Sequence, residues 1–341
     1  MRYYELTITP QTTPSPEVEK TLMCTGAVSS KVVPRIKPKP KPPLVFSSLK
    51  GDGKHNPNAL QIEFDLPISG FHDPSGTTNN SFIRLSGVPL DLISQARNLN
   101  GALVELNCGM SLGLPLTDFE KSGLILSGQV FQAFGNWQGE NMTMDIVVCG
   151  IQTATGDYSF QWTKGEKLAD MVKRVIKRNH PSFTVRDLLS DNLVLSNDES
   201  GAYSSISQFA TYVFNKSKSL ITDVAYQGVT IMTQGNTIFL LDGSSVKKPK
   251  EIDYFDIIGQ PTWIDFATIQ VKLVMRADLF FGDVITLPPS ATRLATQGAF
   301  NTKKDKTSFD GNYVISNIRN LGNYRQPDAN SWCTIIDCIE Q

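Results

Sequence analysis

The side chains that could carry chemistry are sparse in this sequence. There are three histidines, His55, His72 and His180. None stands at metal-ligand spacing from a cysteine or an acid, so each is expected to be a surface loop residue. The five cysteines are Cys24, Cys108, Cys149, Cys333 and Cys338. Their number is odd and no Cys-x-x-Cys pair occurs, which predicts buried thiols. If residues 332–339 form one strand, Cys333 and Cys338 face opposite sides and cannot bridge across it. Glu63 and Asp65 share one face of a strand, as a paired acid and base might. General acid–base work would need a cleft around them, which the sequence does not offer; a solvated or subunit-facing edge is expected. Gly150 and Gly156 do not have the spacing of a phosphate cradle. No nucleophile elbow, metalloprotease helix, Walker loop or Rossmann glycine run occurs. The expectation is therefore no catalytic residue, no cofactor, no metal and no enzyme activity.

Charge and aromatic residues point to contacts instead. Lys164, Lys167, Lys173, Arg174, Lys177 and Arg178 form a basic helix face, which suits either an acidic partner or plain solvation; solvation is expected. In residues 35–43, Lys37, Lys39 and Lys41 alternate with prolines. Each proline lacks an N–H and disfavours helix at the residue before it, so this tract is expected to be polyproline II. It is read as a stiff connector, or else as a basic finger that clasps a neighbouring subunit or touches passing DNA. Trp137, Trp162, Trp263 and Trp332 stand at predicted strand ends or turns, where such residues plug barrel ends or anchor subunit contacts.

The elements that must position these residues are mostly strands. Residues 3–9, 60–66, 82–85, 102–108, 123–130 and 142–148 alternate or run apolar between Gly, Pro and Asn turns, with residues 135–139 read as the last loop. Residues 90–98 suggest a short helix with Leu92, Ile93 and Ala96 on one side. This part reads as a meander closing into a barrel, with the helix across an open end. Composition changes near Lys164. Leu168, Met171, Val172, Val175 and Ile176 recur at helical spacing. A second helix is expected over residues 203–219, with Ile206, Phe209, Ala210, Val213 and Phe214 on its stripe. A hairpin over residues 229–241 follows, turning at 234–236. From Tyr254 the chain is β again. Gly259 and Pro261 punctuate a corner, Ile269, Val271, Leu273 and Met275 alternate, and Gly282-Asp283 makes a reversal before residues 284–287. Residues 313–318 and 332–339 are further strands, after a long polar loop. The predicted class is mainly β with an α+β insert: a β-barrel domain over 1–157, an insert over 158–250 and a second β-barrel over 251–341.

Composition is compatible with this. At 341 residues the chain should hold two or three domains. It is 40% hydrophobic and 19% charged, which excludes global disorder. A formal net charge of −1 argues against a strongly basic nucleic-acid binder. No apolar run is long enough to span a bilayer, and MRYYELTITP lacks the apolar core of a signal peptide, so synthesis in the cytoplasm is expected.

Three segments carry a resemblance. The first is the insert: residues 162–172 (WTKGEKLADMV), 190–195 (SDNLVL), the helix opening at Ser204-Ser205, and residues 227–238. The second is the corner, strand, turn and strand over 259–288. The third is residues 311–332 (GNYVISNIRNLGNYRQPDANSW). In order and spacing these resemble the baseplate hub proteins of contractile-tailed phages and phage-like bacteriocins. The resemblance covers residues 158–341, and reaches the first third of the chain only in strand order. The Lys-Pro tract and the acidic loop at 197–201 match nothing in it. It implies a virion protein with two tail-tube-like barrels per subunit. Three chains would then form a six-barrel ring joining a sixfold tube to a threefold spike around a DNA channel. The implied partners are two further copies of the chain, the tail spike or needle, the tail tube or tube initiator, baseplate wedge proteins and the tape measure protein. DNA would pass through transiently, with no sequence-specific binding and no membrane. Phe280, Phe281, Trp263 and the lysines at 37, 39 and 41 are the expected subunit-interface residues, with the Phe280–Asp283 turn at a barrel rim. The alternative is a tail-tip component with peptidoglycan-binding or lytic activity.

Overall fold

The computed structural model describes residues 2–10, 42–68, 70–72, 80–110, 121–149, 156–221, 223, 226, 228–243, 248–265, 268–288, 309 and 311–340. Cys24, the Lys37, Lys39 and Lys41 tract and most of the long loop before Phe309 lie outside the described residues.

The N-terminal part supplies seven strands: β1 (Arg2–Thr9), β2 (Leu44–Ser47), β3 (Gln61–Ile68), β4 (Asn80–Ser86), β5 (Leu103–Met110), β6 (Gly123–Gln138) and β7 (Asn141–Cys149). They are ordered β3-β4-β7-β6-β5-β1-β2, and every neighbouring pair is antiparallel. Period-two alternation does the work: Tyr4, Leu6 and Ile8 of β1, with Val104 and Leu106 of β5, turn into one core. Each such side chain, fully buried, contributes about 1.5–3 kcal/mol. The sheet curls so that β1 returns to β3, where side chains close the seam. Tyr4 Oη donates to the Leu60 carbonyl at 2.7 Å.

The short helix α1 (Leu90–Ser94) and a 3-10 turn (Ala96–Leu99) cover one end, as expected. A methyl on Gly135 would come within 2.5 Å of the Ile93 carbonyl oxygen, so α1 lies close against β6 there. Residues 135–138 were expected in a loop and are strand instead. Only Gly139 and Glu140 turn, between the paired Gln138 and Asn141, with Gly139 at φ 60°.

The insert builds a separate core. Its elements are β8 (Phe160–Trp162), α2 (Leu168–Asn179), β9 (Thr184–Leu188), β10 (Glu199–Gly201), α3 (Ile206–Leu220), β11 (Thr230–Gln234) and β12 (Thr237–Leu241). Leu168, Met171, Val172, Val175 and Ile176 are all buried, as their spacing predicts. Ser205 caps α3, its hydroxyl accepting from the Gln208 N–H at 3.3 Å. Two pairings were not anticipated: β9 runs parallel to β12, and β10 pairs with β8.

The rest forms β13 (Lys250–Glu251), β14 (Thr262–Trp263), β15 (Thr268–Val274), β16 (Val284–Leu287), β17 (Gly311–Asn323) and β18 (Trp332–Glu340). Ile269, Val271, Leu273 and Met275 are the inward set. The strands around the Gly282-Asp283 turn are not partners: β15 pairs with β14 and β18, whereas β16 pairs with β13 and β17. Ile257 bridges Leu273, so the stretch from β13 to β14 closes the second barrel between β16 and β15.

The two barrels share one 13-stranded sheet. Its hinge is β17, which is much longer than the six residues first expected. Gly311–Val314 pair with β16, and Ile318–Asn323 pair with β3 of the first barrel. A bulge between Ile315 and Asn317 lies where the strand passes from one barrel to the other, the usual device for bending a strand. Met275 and Trp332 from the second β region complete the first barrel's core, while Met232, Phe239 and Leu241 of the insert belong to the second barrel's core.

Candidate assembly surface

The residues with chemical potential are structurally engaged. His72 and His180 are half-buried, which corrects the expectation that both are surface residues. His72 stacks on Phe214, with ring centroids 4.2 Å apart. His180 follows α2 and its Nε2 meets the Tyr158 hydroxyl at 2.7 Å. Burial lowers the His180 pKa and pushes that of Tyr158 up to about 12. His55 is exposed. The four described cysteines are buried, and burial raises the thiol pKa of each. Among the described residues no group of three His, Cys, Asp or Glu side chains could hold a metal ion. No described helix is long and apolar enough to cross a membrane.

Much of the basic face of α2 is engaged locally. Lys167 pairs with Asp191 at 2.7 Å and Lys173 with Asp187 at 2.5 Å. Arg174 pairs with Glu166 at 2.6 Å, and Arg178 donates to the Asp157 and Ser159 carbonyls. Four of the six basic side chains named for this face thus have partners within the chain.

The densest polar arrangement lies where the three cores meet, in the turn after β15. The Arg276 side chain is 4% exposed. It donates to Asp256 at 3.0 Å and, through a two-pronged contact at 2.7 Å each, to Asp278. Lys121, just before β6, pairs with Asp256 at 2.9 Å. Lys250 Nζ reaches Asp283 at 2.7 Å. From the insert, Gln234 donates to the Leu279 carbonyl at 2.7 Å and accepts from the Phe281 N–H at 3.4 Å. This cluster fixes the two barrels and the insert to one another; it holds no cleft around a reactive group.

Three of the residues expected at a subunit interface are half-buried against the second barrel's core. Phe280 packs on Phe239 of the insert at 5.5 Å, with Lys250 Nζ 5.4 Å from its ring centre. Phe281 is half-buried in the same core. Trp263 turns inward onto Phe309 at 5.7 Å. The turn that was expected at a free rim therefore packs against β11 and β12.

The outward-facing apolar residues lie elsewhere. On the first barrel they include Leu103 on β5 and Phe131, which is 59% exposed on β6. Phe131 stands at a bulge, where it has no opposite number on β7. On the second barrel they include Tyr254, Phe255, Ile264 and Ile339. Between these groups the outer face is charged: Arg319 pairs with Asp65, and Arg84 with Asp145 at 2.7 Å. Glu63 and Asp65 thus sit on a solvated charged ladder, as their spacing suggested. Of the four tryptophans singled out from the sequence, Trp162 and Trp332 are buried while Trp137 on β6 is exposed. Phe131 and Phe134 were missed because β6 was expected to end at Val130.

No family model matches the sequence, and no curated protein matches it. Solved structures give partial likenesses. A tail protein from Neisseria meningitidis MC58 aligns at TM-score 0.47 and 10% identity, covering 85% of this chain and 94% of that one. The 43 kDa tail protein of prophage MuSo2 from Shewanella oneidensis aligns at TM-score 0.47 and 8% identity, covering 85% and 95%. Prophage tail protein gp18 from Listeria monocytogenes EGD-e aligns at TM-score 0.36 and 8% identity, covering 89% and 92%.

Proposed function

We propose that this chain is a structural component of a phage tail, the central hub of a contractile baseplate. In this reading three copies form a ring in the virion that joins the sixfold tail tube to the threefold spike and encloses part of the DNA channel. The observation that carries it is the fusion of two barrels into one sheet through β3 and β17. A chain with two barrels held rigidly side by side is the unit from which three subunits make a six-barrel ring, as the sequence resemblance implies. Among the described residues the outer edges of β2 and β14 pair with no further strand, and closed symmetry would cover such edges, which otherwise template aggregation.

The interior joint supports such a role. A hub transmits load between tube and spike, and a buried ion cluster spanning both barrels and the insert resists their separation. Phe280, Phe281 and Trp263 serve the assembly in this reading by holding the barrel walls in shape. The spike, the tube or its initiator, the wedge proteins and the tape measure protein are the proposed neighbours, with DNA passing through without sequence-specific contact.

Imaging the purified chain tests this. A threefold ring with a channel wide enough for duplex DNA is the expected result. A monomer at every concentration, with no assembly on adding spike or tube protein, would overturn it.

A further inference from the structure

An open groove of about 720 Å³ runs along the outer side of α3 in the insert. Ser207, Gln208, Thr211, Asn215 and Ser219 line it, and their spacing of three or four residues puts them on one side of the helix. The opposite side, with Ile206, Phe209, Ala210 and Val213, is buried in the insert's core. Tyr203 and Tyr212 also line the groove, their ring centroids 5.5 Å apart, and Phe160 stacks on both from behind.

Two observations separate this face from a solvated one. It is uncharged: Lys216 is the single charged side chain in the lining, and it pairs with Glu199, which also accepts from the Tyr212 hydroxyl at 2.8 Å. The exposed side of α2, in the same module, carries Asp170, Arg174, Lys177 and Arg178 instead. The residue types are also unfavourable for a helix. Ser, Thr and Asn compete for backbone groups, and a face that only had to be wet would be better made from Glu and Lys.

The groove keeps hydrogen-bonding capacity for a ligand. Gln208 Oε1 accepts from the Ser204 hydroxyl at 3.1 Å, and the Thr211 and Ser219 hydroxyls donate to helix carbonyls, which leaves their oxygens able to accept. Among the described residues the Gln208 amide NH₂, the Asn215 side-chain amide and the Tyr203 hydroxyl have no partner. Uncharged hydroxyls and carboxamides beside tyrosine rings complement a sugar. Its hydroxyls both donate and accept, and its C–H face packs on an aromatic ring. A phosphate chain would need free cations, and an amphipathic helix would need an apolar stripe. The stripe from Ser207 to Ser219 is about 18 Å long at about 1.5 Å per residue, long enough for an extended oligosaccharide.

We propose that the α3 groove binds an uncharged glycan chain, with Gln208 and Asn215 hydrogen-bonding its polar groups and Tyr203 flanking a sugar ring. This does not depend on the ring assembly proposed above.

The test titrates the full chain by calorimetry with chitotetraose and with maltotetraose, which distinguish an N-acetylglucosamine chain from a glucan. Saturable binding of at least one is expected. Gln208→Ala with Asn215→Ala should weaken it at least tenfold, and so should Thr211→Glu, which puts a charge in the middle of the stripe. These three side chains are exposed, thermal unfolding confirms that each variant is folded, and either variant alone decides if the other is not. Lys177→Ala, on α2, should bind like the unaltered chain. No binding of either sugar overturns the inference. Binding that the groove variants leave intact overturns it as well, and so does tighter binding of heparin, which would mark a site for anions.

Discussion

The Arg276 guanidinium lies 3.0 Å from the Asp256 carboxylate, and the two side chains are 4% and 6% exposed. Asp256 belongs to the 3-10 turn Tyr254–Asp256, while Arg276 follows β15, so the pair ties two segments of the second barrel. Through Lys121 it ties in the first barrel also. Breaking a buried pair from one side leaves an uncompensated charge. Arg276→Ala is therefore expected to lower stability by about 3–5 kcal/mol, measured by chemical or thermal unfolding. Arg276→Lys should recover little, since an ammonium cannot hold Asp278 with two prongs.

Acid should loosen the same joint. Burial works against ionisation of Asp278, but the hydrogen bonds and charge of Arg276 outweigh it and hold the carboxyl below its usual 3.8. A depressed carboxylate stabilises the fold fully above pH 3.8, and this is lost as pH falls through the folded value. Unfolding curves of the native chain and of Asp278→Asn should converge at the acid end.

His180 gives a second pH dependence in a different range. Burial holds its pKa below 6.5, so the folded state keeps the ring neutral where the unfolded chain takes up a proton. Stability from this site is complete above pH 6.5 and should decline as pH falls below it. His180→Gln should flatten that decline in a thermal-midpoint series. An unchanged slope would show that His180 does not drive it.

Gly322 of β17 lies opposite Phe64 of β3, and a methyl group at Gly322 would run into the Phe64 ring. Here the two barrels share their joint, and Phe64 also packs on Trp332 at 5.3 Å. Gly322→Val should overpack it at a cost of about 1–3 kcal/mol. Because the joint fixes the angle between barrels, assembly should suffer along with stability, which sedimentation and unfolding read separately.

Phe280→Ser should cost stability and spare assembly. Its ring is half-buried between Phe239 and two cations, so its loss is expected to cost about 2 kcal/mol of stability. Self-association below the unfolding temperature should be unchanged. A stable Phe280→Ser protein that no longer assembles would instead return this turn to a subunit contact.

Much of this protein could be read from local pattern. The stripe from Leu168 to Ile176 named both a helix and its buried face. Alternation from Ile269 to Met275 named two faces, and the packing of the barrel decided that this set, and not its complement, is the buried one. Three things could not be read in this way. The pairing of β17 with β3 joins residues 250 to 260 positions apart, and no local pattern encodes a partner that distant. The extension of β6 past Val130 depends on β7 being in register to receive it. Whether Phe280 or Phe131 faces water depends on what else packs nearby: the insert covers the first, and a bulge turns the second outward. Sequence determined the longer strands, the helices of the insert and which of their residues are apolar. Tertiary structure alone decided which apolar faces were used up inside the chain and which were left over, because burial is a property of neighbours and not of the residue.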